Sequence, residues 1–465
     1  MDFEKVFYED KLTAMKFLFF IRDREEGLGE RRTFRVIIKH LAHIEPEIIK
    51  AVIPLIAEYG RYDDLLELFD TPLEEDMLSY IAAQWNKDMK DMQENKSISL
   101  LSKWLPSINA SAKKKEQAKK IIAYINLECN DTGKEIKEKD YRKTLSVMRK
   151  YLDVVEKKMC ANEWDKIKYE NVPSRANLKY NNAFLRHDEE RRREFLGQVE
   201  KGEKKIHAGK LYPHDIVHKY KENGWGSRLK PLDTALEQLW KALPKKEIAN
   251  TLVVADGSGS MTATIGNTNT TCLDVANALA IYFAEHNKGE FNNKYITFSE
   301  TPQLVKFTKT ASLHDKIAKC LCHSEVANTN IEKVFGLILQ TAIKNNLTQE
   351  EMPKNILIIS DMEFDDCVES NTGYRPNQKL FKVIEESYNN YGYKLPKLVF
   401  WNVCSRTGTI PLKENDLGVA LVSGFSTNIA EMIMNDKLDP LEILLDKLNT
   451  KRYDKISENL KNILQ

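Results

Sequence analysis

The sequence predicts an N-terminal α-helical repeat region joined to an α/β domain with a doubly wound parallel sheet. Two patterns lead to this fold class. From Met1 to about Ala110, apolar residues recur at helical spacing with turn signals between them, as in FRVIIKHLAHI. From residue 249 onward, short β-branched runs alternate with helical patterns, which is the order of a parallel sheet with crossover helices. We therefore expect domains at 1–245 and 246–465.

The elements of the second domain can be read in order. The predicted strands are TLVVA, YITFS, NILIIS, LVFWNV and GVALVSG, and the helices between them include DVANALAIYFAEH, IEKVFGLILQTAIK and FKVIEESYNNYG. The segment from Ile429 to Leu464 contains DPLEILLDKL, which is typical of a helix. We expect these last helices to pack back on the α/β domain.

The composition indicates a soluble globular protein. Of its 465 residues, 42% are hydrophobic and 30% are charged, and no run of 18 apolar residues predicts a membrane span. The apolar stretch AMKFLFFI lacks a small-residue cleavage site, so we expect a cytoplasmic protein. Its seven cysteines are an odd number without a C-x-x-C pair, which favours reduced thiols. Cys320, Cys322 and His323 form a C-x-C-H cluster. The sequence offers no second set of ligands to complete a zinc site, so zinc is not predicted there.

A candidate metal site follows the first predicted strand. Asp256, Ser258 and Ser260 form a D-x-S-x-S loop at the end of TLVVAD, and Thr329 and Asp361 stand at later strand-to-helix connections. The carboxyl ends of parallel strands meet at one edge of a sheet, so these side chains can converge. All five offer hard oxygen donors, which suit Mg²⁺, Mn²⁺ or Ca²⁺. Extra acids follow Asp361 in DMEFDD, where a solvated loop is a simpler interpretation than a second ion.

This pattern resembles the metal-ion-dependent adhesion site (MIDAS) of von Willebrand factor A domains, in which D-x-S-x-S is followed by a Thr and then an Asp. The resemblance implies a Rossmann-like fold for the second domain. It also implies that a bound cation keeps one position open for an acidic oxygen of a partner. The implied site binds a ligand and does not catalyse a reaction.

Two enzyme classes also use an Asp at the end of a strand, so their motifs were sought in this sequence. A haloacid-dehalogenase-type phosphohydrolase needs D-x-D after the first strand, but the chain has Ser258 at the second position. An ATPase could use ILIISD as its Walker B strand, but the chain has no G-x-x-x-x-G-K-[ST], and G-x-G-x-x-G is also absent. None of the nine histidines has an evident acidic partner in the sequence. We therefore expect a non-catalytic protein.

Two motifs stand out in the N-terminal helices. The first, IRDREEGLGERRTFR, has Gly27 and Gly29 between two predicted helices, and the second, YGRYDDLLELF, begins a helix with paired acids. They resemble the R-D-x-x-x-G-x-G-E-R and G-R-W-D-D-L elements of the Ro autoantigen (TROVE) family, although this chain has Tyr62 where the family tends to have Trp. The resemblance implies a HEAT-like helical region.

The middle of the chain is a candidate nucleic-acid surface. Over residues 111–248, Lys and Arg number 33 and Asp and Glu number 22, whereas both flanking regions are slightly acidic. Arginines mixed with aromatic side chains suit RNA, although charged helix faces are also commonly only solvated. The candidate contacts are Arg31, Arg32, Lys113, Lys114, Lys115, Arg175, Lys179, Arg186, His187, Arg191, Arg192 and Arg193.

Further motifs spread over nearly the whole chain, among them SLLSKWLPSINAS, CANEWDKIKYENVPS, FLRHDEERR, KIHAGKLYPHDIV and SDMEFD. They resemble the family called domain of unknown function 2828, which is similar to Ro proteins in joining a helical-repeat region to an A-type domain. By this analogy we expect an RNA-binding scaffold that holds small structured RNA or single-stranded ends and carries a metal site. The alternative is a protein-interaction module in which the metal binds an acidic partner residue without RNA.

Overall fold

The structure is a computed structural model that describes residues 2–128, 135–221, 228–245, 250–265, 268–323, 330–361, 378–403, 419–423 and 440–464. The chain divides into two compact units. Unit 1 comprises Met1–Lys168 and Leu445–Gln465, and unit 2 comprises Tyr169–Leu444. No helix in these ranges is long and apolar enough to cross a membrane.

Unit 1 is built from helices that pack in pairs, α2 with α3, α3 with α4, and α6 with α8. Each helix buries an apolar stripe, for example Phe34, Ile38 and Leu41 of α3, because these residues recur at helical spacing. The N-terminal helices are α1 (Asp2–Glu9), α2 (Lys11–Arg22), α3 (Arg32–Ile44), α4 (Pro46–Tyr59), α5 (Tyr62–Leu65), α6 (Glu74–Gln93), α7 (Leu101–Trp104), α8 (Ala112–Glu128), α9 (Glu138–Tyr151) and α10 (Val155–Cys160).

The two Ro-like motifs bind each other inside unit 1. The fully buried carboxylate of Asp64 accepts hydrogen bonds from Arg22 Nε at 2.8 Å and from Arg35 Nε at 2.6 Å. Gly27 and Gly60 leave room for this arrangement: an added Cβ would lie 2.0 Å from Phe20 O at Gly27 and 2.5 Å from Asp64 Oδ2 at Gly60. The motifs therefore join α2, α3 and α5.

Unit 2 contains a six-stranded sheet in the order β3-β2-β1-β4-β5-β6. All neighbouring strands pair in parallel except β2 and β3, which are antiparallel. The strands are β1 (Thr251–Asp256), β2 (Lys294–Phe298), β3 (Leu304–Lys306), β4 (Asn355–Ser360), β5 (Lys397–Asn402) and β6 (Val419–Ser423). The helices are α11 (Ser174–His187), α12 (Glu189–Glu200), α13 (Pro213–Tyr220), α14 (Thr234–Lys241), α15 (Cys272–His286), α16 (Leu313–Cys322), α17 (Ile331–Lys344) and α18 (Gln378–Asn390).

Helices cover both faces of this sheet. One face, which includes Val254, Ile358 and Phe400, forms a buried core with residues of α17 and α18. Neighbouring side chains on a strand point to opposite faces, and Trp401 accordingly contacts Phe283 of α15, with ring centroids 6.3 Å apart. The predicted fold class, a helical region with a doubly wound α/β sheet, is confirmed. The antiparallel edge strand β3 was not predicted.

The C-terminal segment belongs to unit 1. Helix α19 (Pro440–Leu448) leads to α20 (Asp454–Leu460), which packs against α2 and α4. Between them, Arg452 donates two hydrogen bonds to Asp23 at 2.8 and 3.0 Å, and the Tyr453 ring stacks on Tyr59. The expectation that the last helices pack on the α/β domain is therefore wrong for the described residues from Leu445 onward, because their apolar and charged partners lie on α2 and α4.

Helices α11 to α14 lie in unit 2 together with the sheet. They were expected in the helical region, as part of domain 1–245. The compact units are groups of residues in contact, whereas the predicted domains follow the change in sequence pattern, so the division at residue 245 stays a prediction.

Candidate functional site

The carboxylates of Asp256 and Asp361 lie at the same edge of the sheet. Strands β1 and β4 are parallel neighbours with Ala255 paired to Ile359, β1 ends at Asp256, and Asp361 directly follows the end of β4. Each of the two residues is only 1% exposed. The parallel topology thus brings together two of the predicted metal ligands that are separated by about a hundred residues of sequence.

Two serines donate hydrogen bonds to the Asp256 carboxylate, and a third lies beside one of them. Its Oδ1 accepts a hydrogen bond from the Ser258 backbone N–H at 2.8 Å, and its Oδ2 accepts one from Ser360 Oγ at 2.6 Å. The hydroxyl oxygens of Ser258 and Ser260 are 3.0 Å apart and half-buried. The D-x-S-x-S loop therefore folds so that both serine hydroxyls lie close together. Ser360 was missed, although it stands directly before Asp361 in IISD.

Burial raises the pKa of Asp256 above its ordinary value. The negative charge of Asp361 raises it further, while the hydrogen bonds from Ser360 and Ser258 lower it in part. Ionising both carboxylates inside the protein is thus unfavourable unless a positive charge is near. A divalent cation would supply that charge.

The donor set fits a hard cation. Carboxylate and hydroxyl oxygens are the ligands that Mg²⁺ and Ca²⁺ prefer. No group of three or more His, Cys, Asp or Glu residues suited to a metal occurs in the described ranges, so the candidate site depends on its hydroxyl oxygens. Thr329 lies outside the described residues, as do the acids that follow Asp361.

The serine loop is anchored at its far end by helix α15. The Cys272 backbone N–H donates to Ala263 O at 3.0 Å, which ties the helix start back to the loop. Asp274, in the first turn of α15, accepts from the Thr271 N–H at 3.0 Å and binds His218 Nδ1 at 2.9 Å. It also forms an ion pair with Lys221. Helix α13 and the residue after it therefore fix the helix that follows the candidate site.

Four exposed polar residues form a stripe on α11, which we call the α11 stripe: Arg175, Lys179, Asn182 and Arg186. Their spacing of four, three and four residues puts them on one side of a helix with about 3.6 residues per turn. Arg175 forms an ion pair with Asp215 at 3.1 Å, and Lys179 lies over the Tyr180 ring at 4.9 Å. His187 is exposed at the end of the same helix. The structure thus brings together part of the predicted nucleic-acid set.

The three consecutive arginines of α12 have different surroundings. Arg192 is fully buried, with hydrogen bonds to Asn177 Oδ1 at 3.1 Å and Asn181 Oδ1 at 3.2 Å, and burial lowers its pKa to about 10. Its guanidinium lies against three aromatic rings, so it supports the core and is not available to a nucleic acid. Arg191 is half-buried and binds Asp188 at 2.9 Å, whereas Arg193 is exposed.

The remaining basic candidates lie in unit 1. Arg31 and Arg32 are exposed at the start of α3, and Lys113, Lys114 and Lys115 are exposed in the first turns of α8. These five residues belong to unit 1, whereas the α11 stripe belongs to unit 2.

The C-x-C-H cluster does not converge on one point. The Cys320 thiol is buried, and burial raises its pKa to about 12. Cys322 is exposed, and His323 Nδ1 bonds to the Lys319 carbonyl at 2.8 Å.

Comparisons with known proteins cover most of the chain. Residues 61–253 match the family model described as "Domain of unknown function (DUF2828)", and residues 250–462 match "Domain of unknown function (DUF7788)". The chain is 29% identical to the uncharacterized protein L728 of Acanthamoeba polyphaga mimivirus, over 96% of this chain and 81% of that protein.

A looser structural likeness is to the crystal structure of the Deinococcus radiodurans RO (RSR) protein, with a TM-score of 0.38 and 12% identity over 86% of this chain and 93% of that chain. The resemblance to the DUF2828 family that the sequence motifs predicted is confirmed, over residues 61–253.

Proposed function

We propose that this chain is a non-catalytic binding scaffold in which unit 2 binds a divalent cation, Mg²⁺ or a similar hard ion, at the carboxyl edge of its sheet. One observation carries the proposal. Two buried carboxylates, Asp256 and Asp361, end adjacent parallel strands beside the paired hydroxyls of Ser258 and Ser260. Thr329 stays a predicted fifth ligand.

The ligand set also indicates what the cation binds. Two carboxylates and a few neutral hydroxyls leave a hard cation with coordination positions that water or a partner can fill. An acidic oxygen is the strongest ligand of this kind, so the partner is an acidic side chain, as the von Willebrand A resemblance implies. Within the described residues of this site, the Ser360 hydroxyl that donates to Asp256 is fully buried, which favours binding over catalysis.

The test is cation binding measured by isothermal titration calorimetry with Mg²⁺ and Mn²⁺. We expect Asp256→Ala and Asp361→Ala to abolish binding and Ser258→Ala to weaken it. The unmodified protein should gain about 2.7 kcal/mol of unfolding free energy at a cation concentration of about 100 times Kd. Glu386→Gln, which removes an exposed carboxylate from α18, is the matched control and should bind as the unmodified chain does. Unchanged cation binding in Asp256→Ala would contradict the proposal.

RNA binding by unit 2 is the second candidate function, and the α11 stripe favours it. Three exposed cations on one side of a 14-residue helix can contact successive phosphates of a strand. RNA and the cation site involve different residues, so each can be tested without the other.

Charge reversal of Arg175, Lys179 and Arg186 tests this second function. We expect the triple Glu variant to lose RNA affinity and to show a shallower salt dependence, because each phosphate contact contributes to the slope of log K against log salt. Titrations at about 50 and 200 mM salt measure both effects. Reversal of the exposed Lys344, Lys382 and Lys394 is the control with the same change of charge. Equal losses in the two variants would show that only net charge matters.

A further inference from the structure

A large cavity in unit 2 lies apart from the candidate cation site and shares no residue with it. It has a volume of about 1020 Å³ and lies between α14, the last turn of α15 and the segment that leads into α16. This volume is at the upper end of the range for small-molecule pockets, which is about 300–1000 Å³.

Aromatic rings form one wall of the cavity, and the half-buried His286 is the most accessible of them, since Trp240 and Tyr282 are only 6% and 2% exposed. Trp240, Tyr282 and His286 all line it, with ring centroids 6.4 Å apart for Trp240 and Tyr282 and 4.4 Å apart for Tyr282 and His286. The Trp240 Nε1–H donates to Glu285 at 2.9 Å, and the Tyr282 hydroxyl donates to Pro244 O at 2.6 Å, which fixes both rings. His286 Nδ1 donates to the Tyr282 carbonyl, so in the neutral ring Nε2 remains as an acceptor.

Three cations line the opening, together with one exposed carboxylate, Glu200. Lys241, Lys245 and Lys309 line the cavity and are exposed. The acids deeper in the cavity are already engaged. Glu285 binds Lys316 at 2.6 Å, and Glu237 accepts the backbone N–H groups of Leu313 and His314 at 2.8 and 3.1 Å.

The same contacts limit where an anion can bind in the cavity. Glu237 and Ser312 already accept hydrogen bonds from the first N–H groups of α16, so this helix start is not available as an anion site. A negatively charged ligand would therefore contact the lysines, while a planar apolar part of it would contact the aromatic wall.

We propose that this cavity binds a nucleotide, with the base against His286 and the accessible edge of Trp240 and the phosphate at Lys241, Lys245 and Lys309. A nucleobase is planar and carries hydrogen-bond donors for His286 Nε2, and the phosphate supplies the negative charge that the lysines require. An acidic peptide would satisfy the lysines but would leave the aromatic wall unused. The nucleotide comes either free from solution or as one unit of an RNA strand.

The test is calorimetric titration with ATP, UTP and the RNA decamers of adenylate and uridylate, in EDTA so that the cation site plays no part. Lys241→Glu with Lys309→Glu reverses two exposed charges at the opening, and Lys288→Glu with Lys344→Glu makes the same change elsewhere on unit 2. We expect the first pair to weaken binding by about tenfold or more and the control pair to change it less than about twofold. Trp240→Leu, checked for folding by circular dichroism, should weaken binding as well.

The probes distinguish the two sources. Binding of ATP or UTP without the decamers identifies a free nucleotide, and decamer binding that the first lysine pair weakens identifies a nucleotide of RNA. Failure of all four probes to bind would overturn the proposal, as would equal affinities in the two lysine pairs. Neither result would affect the cation site, which is tested by Mg²⁺ binding alone.

Discussion

Two buried carboxylates of unit 2, Asp256 and Asp274, differ in the direction of their pKa shifts. Burial raises the pKa of both, and for Asp256 the neighbouring Asp361 adds to the effect. For Asp274, hydrogen bonds and charge from His218 and Lys221 outweigh burial and lower its pKa to about 2. Asp274 therefore has its counter-charge within the chain, whereas the charged neighbour that shifts the pKa of Asp256, among the described residues, is another carboxylate, Asp361. This contrast supports a structural role for Asp274 and a ligand-binding role for Asp256.

The lowered pKa of Asp274 predicts how stability depends on pH. A carboxyl with a pKa near 3.8 when unfolded and about 2 when folded stabilises the folded state by about 2 kcal/mol above pH 4, and this contribution disappears as the pH falls toward 2. We expect Asp274→Asn to lower the unfolding free energy at pH 7 and to flatten its acid dependence. Urea denaturation from pH 2 to 7 measures both, with the exposed Glu386→Gln as control. An unaltered acid dependence in Asp274→Asn would contradict the prediction.

The arginines of α12 show what the sequence cannot resolve at the scale of one residue. Consecutive residues on a helix point about 100° apart, so RRR must place its members in different surroundings. The sequence alone does not indicate that Arg192 is the buried arginine, because its partners Asn177 and Asn181 lie on another helix. A variant that reverses all three charges would therefore disturb the core. The α11 stripe is the better test of RNA binding.

At the scale of elements, long patterns were predictable and short ones were not. The five predicted strands are all present, because four to six β-branched or apolar residues in a row are a clear signal. Strand β3 has only the three residues LVK, which are too few to show a period. The cation site follows the same rule. The carboxyl ends of β1 and β4 could be predicted from strand order, but the hydrogen bond from Ser360 to Asp256 depends on the register of two parallel strands.

The contacts of the two Ro-like motifs of unit 1 show what their charged residues do. Arg22 and Arg35 come from one motif and Asp64 from the other, and both arginines bind the same buried carboxylate. The sequence identifies the two motifs as family-like, but it cannot show that each is the partner of the other. The charges of Arg22, Arg35 and Asp64 are paired within the helical unit, so these three residues hold helices together, whereas Arg31 and Arg32 of the first motif remain exposed.

At the scale of the whole molecule, the chain starts in unit 1, forms unit 2 and returns to complete unit 1. Arg452 and Asp23 are 429 residues apart in sequence, yet they form an ion pair with two hydrogen bonds. A periodic pattern reports on local structure and cannot predict a contact between residues so far apart in sequence. The last helices were therefore expected on the wrong unit. Native unit 1 therefore cannot be completed until the C-terminal segment is available, which is a costly closure of a long loop.

Tyr453 tests this return of the chain. Its ring is fully buried between Tyr59, at a centroid distance of 5.7 Å, and Phe20, at 6.2 Å. We expect Tyr453→Ala to destabilise unit 1 by about 3–5 kcal/mol, because it leaves a cavity among aromatic rings. Hydrogen–deuterium exchange should then accelerate in α2 and α4 and stay unchanged in β1, β4 and α15, and the exposed Lys461→Ala should alter neither. Faster exchange in the sheet with none in α2 and α4 would show that the C-terminal segment stabilises unit 2 and not unit 1.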